Sequence, residues 1–267
     1  MIEWGISAGT HDASITVVEG ETNEILFASH SERFGRRNKN DGQLNHQLIK
    51  EAKKYGKPDR IYWYEDPLLK FGRKLYSGEP NKWLSPKKYL EGYGIKDVEI
   101  KWGNHHKSHA AAGFYTSPFK EAAVLVIDAI GEFETITIWH GKEKLKKIHS
   151  VKYPKSLGLF YSAMTDRIGL KANEDEYILM GMSAYGNPIH FYNRIKKDLL
   201  QANHNFHKGC RDWCPGLQEK DYFHVAAATQ SLYEEEFKKL LKLTWDLTKS
   251  KNIVLMGGCA LNCLANR

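Results

Sequence analysis

The sequence predicts an α/β protein of two lobes with related topology, and three features carry that prediction. Two β-hairpins of similar plan lie far apart, helical periodicity dominates the later half, and a late apolar strand runs into paired glycines. In the first hairpin, residues 4–8 form a strand, residues 9–12 a tight turn built on Gly9 and Asp12, and residues 13–18 the β-branched return strand. A third strand follows at residues 25–28. Helical spacing covers residues 43–55, and residues 60–64 form the next strand. Residues 65–94, rich in Pro, Gly, Lys and Tyr, read as loops with short helices. The second hairpin pairs residues 124–128 with 135–139 across a turn holding Gly131 and Glu132. Apolar residues at i, i+3 and i+4 predict helices over residues 157–168, 222–243 and 243–249. Residues 252–256 form a buried strand feeding Gly257-Gly258, where the backbone can approach a phosphate or ribose. The expected lobes are residues 1–120 and 121–267.

Composition narrows the function classes. The 267 residues, 42% hydrophobic and 27% charged with 14 Tyr and 7 Trp, can bury an ordinary core. No apolar run is long enough to cross a bilayer, and the N-terminus lacks the basic and apolar segments of a signal peptide, so the cytoplasm is the expected compartment. The formal charge of +7 suits phosphorylated small molecules as well as nucleic acid. The basic cluster at residues 142–147 reads as a solvated face, and no nucleic-acid-binding motif accompanies it. The four cysteines are expected to be free thiols.

The strongest chemical signal is the stretch Asn104-His-His-Lys-Ser-His-Ala-Ala-Ala. If it is helical, His105 and His109 project from one face and can share a metal ion; a polar helix start with ordinary hydrogen bonds is the alternative. Asp128 closes an apolar strand, where a carboxylate needs a cation or hydrogen-bond donors. It either completes a two-His, one-carboxylate set or caps the turn to Gly131. His11, beside Asp12 in the first turn, is either a general base toward a hydroxyl or a turn-stabilising residue. His204, His207, Cys210 and Cys214 are zinc-binding types at spacings short for a closed site, and a surface loop is the preferred reading.

Several motifs coincide, in order, with one family. Residues 5–14 resemble the G-I-x-x-x-H-D-A-S opening of the NodU/CmcH carbamoyltransferases, and Glu32-Arg33-Phe34 resembles that family's E-R-F. Residues 104–119 are similar to its H-H-x-x-H-A block ending in S-P-F. Residues 124–132 resemble V-L-V-x-D-G-x-G-E with Ala129 for one Gly, residues 177–188 resemble K-V-M-G-L-A-x-Y-G-x-P, and residues 257–266 resemble G-G-V-A-L-N-C-x-A-N. Asn38 stands near a position where the family often has lysine, with Lys39 adjacent.

This resemblance implies a domain like that of the universal tRNA threonylcarbamoyl-adenosine synthase, with the duplicated actin/Hsp70/sugar-kinase fold and an incomplete second lobe. It implies that carbamoyl phosphate and ATP form carbamoyl-adenylate in a YrdC-type domain, whose carbamoyl group passes to the hydroxyl of a small-molecule acceptor. By position, His105, His109 and Asp128 would hold a divalent metal, usually Fe(II). His11 would be the catalytic base, and Gly257, Gly258 and Asn262 would lie against the nucleotide. The family continues beyond the G-G-x-A-L-N motif with a further aspartate ligand and the adenylate-forming domain. A second chain, or a homo-oligomer, is therefore the expected partner. The alternatives are a non-catalytic metal- or nucleotide-binding remnant and an actin-like ATPase or kinase; a sugar kinase has no need of the His pair.

Overall fold

A computed structural model of the chain describes residues 1–35, 41–79 and 84–267; Asn38 and Lys39 lie outside the described residues. The chain divides into two units, Met1–Ser108 and His109–Arg267. The division falls inside a helix.

In the first unit, β1 (Ile2–Ser7), β2 (Ser14–Glu19) and β3 (Glu24–His30) form an antiparallel meander, followed by α1 (His46–Lys53). Then come β4 (Arg60–Trp63), α2 (Pro67–Ser77), α3 (Pro86–Glu91), β5 (Glu99–Trp102) and the start of α4 (His105–Tyr115). The sheet runs β3-β2-β1-β4-β5, with β4 parallel to both β1 and β5. Period-two alternation puts Trp4 and Ile6, Ile15 and Val17, and Ile61 and Trp63 in one buried cluster with Leu48, Ile49 and Ala52 of α1. The expected first hairpin is present, but residues 8–13 form a wider connection than a tight turn. Its backbone is tied to a distant segment, Gly9 N–H donating to Gly42 O and Ala13 N–H to Asp41 O, each at 2.7 Å. The stretch read as loops with short helices contains α2 and α3; before α2 the Asp66 side chain accepts from the N–H groups of Leu68 and Leu69 while Pro67 fills the first turn.

In the second unit, the rest of α4 leads to β6 (Ala122–Gly131), β7 (Glu134–Gly141) and β8 (Leu145–Lys152), again an antiparallel meander. Helices α5 (Leu157–Arg167), α6 (Glu176–Met182), α7 (Tyr192–Ile195) and α8 (Tyr222–Thr248) precede β9 (Ile253–Met256) and α9 (Cys263–Asn266). The two helices expected around residue 243 are one continuous α8. The basic cluster falls partly on β8, where Lys147 is exposed, donates to Glu134 at 2.7 Å and lies over the Trp139 ring.

The second sheet runs β8-β7-β6-β9, with β9 parallel to β6. Strand β6 is covered on both faces. Ala122, Val124 and Val126 pack with Ala110 and Phe114 of α4, while Leu125 and Ile127 join α5 and α8 in the largest core cluster. That two-sided burial explains a strand read as continuously apolar. Each sheet is thus a three-stranded meander with a parallel strand added beside its first strand. The repeat bears out the duplicated α/β plan.

Candidate functional site

Helix α4 carries both histidines of the sequence motif. Asn104 Oδ1 accepts the Lys107 N–H at 3.1 Å and fixes the helix start, while Ser108 Oγ donates to Tyr64 O at 2.7 Å. One helical turn separates His105 from His109, so both rings leave the same face.

Asp128 reaches His109 because β6 is bulged. The β6–β7 register breaks between Ile127 and Gly131, which frees Asp128 from the ladder and re-aims its side chain. Its Oδ2 lies 3.3 Å from His109 Nε2, and its Oδ1 accepts the Ala129 N–H at 2.8 Å. The bulge is held from two sides. Ser156, the cap of α5, donates its hydroxyl to Ala129 O at 2.6 Å, and a Cβ on Gly158 would come within 2.7 Å of the Ala129 backbone. From the other side Gly257, at φ 87° and ψ 169°, passes so close that a Cβ would meet Ile127 O at 2.3 Å. A Cβ on Gly258 would sit 3.3 Å from Asp128 Oδ1. The paired glycines therefore border the carboxylate of the His–Asp set.

Ligand atoms of His105, His109 and Asp128 all lie within 4.8 Å of one another. Neighbouring ligands on an ion bound at about 2.1 Å stand roughly 3.0–3.4 Å apart. The His109–Asp128 separation already meets that requirement. Two imidazoles and one carboxylate suit a borderline divalent cation and leave positions open. The donor types fit the divalent metal that the resemblance implied, with His105 within 4.8 Å of both partners.

Within the first unit, His105 has neighbours that spacing alone did not reveal. Glu65, at 3% exposure, sets Oε2 3.7 Å from His105 Nδ1 and receives the Lys70 ammonium on Oε1 at 2.5 Å. Burial opposes ionisation of Glu65, but His105 and Lys70 outweigh it and hold the carboxyl below its usual range. The Tyr64 ring meets His105 edge-on at 5.5 Å, and its hydroxyl lies 3.2 Å from both Thr10 Oγ1 and Lys70 Nζ. The signal that could have found this group is Glu65-Asp66-Pro67, a carboxylate placed just before a legible helix start.

His11 sits next to Thr10 in the first connection, largely exposed. Its Nδ1 lies 2.8 Å from Asp12 Oδ2, and Asp12 takes a left-handed φ of 49°. Asn262 is buried and exchanges two 3.0 Å hydrogen bonds with Gln230, whose Oε1 also accepts from the Tyr161 hydroxyl. Its Oδ1 further accepts the Ala265 N–H and caps α9. The side chain thus fixes the polypeptide after the paired glycines. Of the Cys/His string, Cys210 is in the core with its thiol toward Ala163 O, and His204 Nε2 is engaged by Gly209 O. Burial pushes the Cys210 thiol up to about 12. Burial and the Asp128 charge likewise push the Cys259 thiol up.

No described helix is long and apolar enough to cross a membrane. The uncharacterized protein sll1178 of Synechocystis is 31% identical over 98% of this chain and 51% of its own length. Nodulation protein NolNO of Sinorhizobium fredii is 29% identical over 66% of this chain and 28% of its own. The chain thus spans about half the length, or less, of these curated relatives. Among solved structures, the ethanolamine utilization protein EutJ of Carboxydothermus hydrogenoformans aligns with a TM-score of 0.44 at 11% identity, over 97% of this chain and 77% of that one. Residues 81–267, which hold the His pair, the bulged aspartate and the paired glycines, match the family described as carbamoyltransferase N-terminus, and the chain belongs to that family.

Proposed function

We propose that the chain carries out the transfer half of an O-carbamoylation, moving a carbamoyl group from carbamoyl-adenylate to a hydroxyl of a small-molecule acceptor. The observation that supports it best is the His105–His109–Asp128 set, bordered by Gly258, in a member of a carbamoyltransferase family. ATP and carbamoyl phosphate are the co-substrates of this reading. A YrdC-like part, on a second chain or a longer one, forms the adenylate.

In the step proposed, the acceptor oxygen attacks the carbamoyl carbon. The bond from that carbon to the adenylate phosphate oxygen breaks, and AMP leaves. His11 takes the hydroxyl proton. Its Nδ1–H is directed to Asp12 Oδ2, which leaves the Nε2 lone pair as acceptor, and general-base assistance of this kind contributes about 100-fold or more. His105, His109 and Asp128 would hold a divalent cation, Fe(II) in this reading, which would supply Lewis-acid neutralisation of phosphate charge. Gly257 and Gly258 offer backbone against the nucleotide, with Asn262 setting their path through its bonds to Gln230 and Ala265.

Two measurements test the reading. Anaerobic Fe(II) titration should give stoichiometric binding that His105→Ala with His109→Ala abolishes; unchanged stoichiometry in the double variant refutes the metal assignment. Transfer of labelled carbamoyl from carbamoyl phosphate and ATP to hydroxylated acceptors should require a YrdC-like partner and fall at least 100-fold with His11→Ala. Turnover by this chain alone refutes the division of labour.

A further inference from the structure

We propose that Glu65 is a positioning residue for His105: it holds the Nδ1–H, so that Nε2 is the nitrogen offered to a divalent cation together with His109 and Asp128. The inference rests on the metal reading above and adds a residue outside the three ligands.

Histidine offers two nitrogens, and the partner of one decides which lone pair reaches a metal. In this chain His105 Nδ1 is buried and faces Glu65 Oε2 at 3.7 Å, so the side that remains is Nε2. A carboxylate at 3% exposure cannot stay charged without partners. Lys70 supplies one on Oε1, and its ammonium is steadied by the Tyr64 hydroxyl at 3.2 Å. With Oε1 so engaged, Oε2 is presented to the imidazole. The end of β4 grips α4 a second time through the backbone, since Ser108 Oγ donates to Tyr64 O at 2.7 Å. Adjacent residues of one strand end therefore fix both the helix and the ring it carries. At 3.7 Å the two atoms stand just beyond hydrogen-bond distance, and the role of Glu65 requires the ring to turn toward Oε2 when a cation binds.

The test uses Zn(II), which is diamagnetic, titrated into the metal-free full chain against a competing chelator. Glu65→Ala should weaken binding roughly 10- to 100-fold with an unchanged circular dichroism spectrum. Glu65→Gln, whose amide oxygen still accepts from Nδ1–H, should recover part of that loss. In the Zn(II)-loaded wild type, long-range 15N–1H correlations should show His105 protonated on Nδ1 and coordinated through Nε2. Equal affinity in Glu65→Ala and wild type, or coordination through Nδ1, overturns the role of Glu65 while the metal site stands. Binding that survives His105→Ala with His109→Ala overturns the metal reading and this inference with it. If Glu65→Ala does not fold, Glu65→Gln and the wild-type spectrum decide.

Discussion

Replacing Gly257 by alanine perturbs the backbone that brings the paired glycines to the bulge, and its cost can be worked from the structure. At φ 87° and ψ 169° the residue occupies a region essentially reserved for glycine, which costs an L-residue about 1–3 kcal/mol. The new Cβ would also meet Ile127 O at 2.3 Å and Ile127 C at 2.8 Å. Both are backbone atoms of β6, so no side chain can swing away, and displacing the chain costs a further ~1–3 kcal/mol. Reduced freedom of the unfolded chain returns about 0.4–1 kcal/mol. The balance is a destabilisation of about 3 kcal/mol, or a Tm lowered by about 10 °C at this size. Urea unfolding followed by circular dichroism and by tryptophan fluorescence would measure it. A Gly257→Ala midpoint equal to wild type, at equal slope, would refute the argument that close approach to β6 requires this glycine. Gly258→Ala is the contrasting case: its Cβ would stand 3.3 Å from Asp128 Oδ1, with no positive φ to strain it. There the fold should survive while divalent-metal affinity drops, because the carboxylate must turn.

The remaining predictions concern groups away from the glycines. Cys210→Ser with Cys214→Ser should leave metal content unaltered and cost about 1–2 kcal/mol of stability, since Cys210 is buried against Ala163 O; loss of one zinc per chain, by elemental analysis, would contradict this. Glu235, held down to about 2 by Lys239, Tyr192 and Lys196, should contribute stability that is complete above its unfolded value near 4.5 and vanishes as pH falls toward 2. Glu235→Gln should therefore be less stable than wild type at neutral pH by about 1 kcal/mol or less. That gap should close on acidification; a gap constant between pH 7 and 2 would count against the network.

Much of the site was legible because its chemistry is local. The i, i+4 spacing of His105 and His109 needs only a helix to bring the rings to one face, and the following alanines supply that helix. Asp128 could be suspected because a carboxylate ending an apolar strand needs a partner. The two hairpins were legible for the same reason, since alternation and turn residues act over a few positions. Strands β5 and β8 escaped notice. Both lie at sheet edges and have no fully buried residue, so neither shows the alternation that marks a half-buried strand.

The sequence by itself determined the fold class, the His pair and the candidate carboxylate, because periodicity and residue type are properties of short segments. Only tertiary structure decided how they meet. The bulge that aims Asp128 at His109 exists because Ser156, Gly158 and Gly257, distant in the chain, press on one stretch of β6. The facing of Glu65 and His105 likewise depends on the convergence of a strand end and a helix start forty positions apart in the chain. Such pairings are settled by packing, where the burial of β4 and β6 leaves a single place for each neighbour, and no local pattern encodes them.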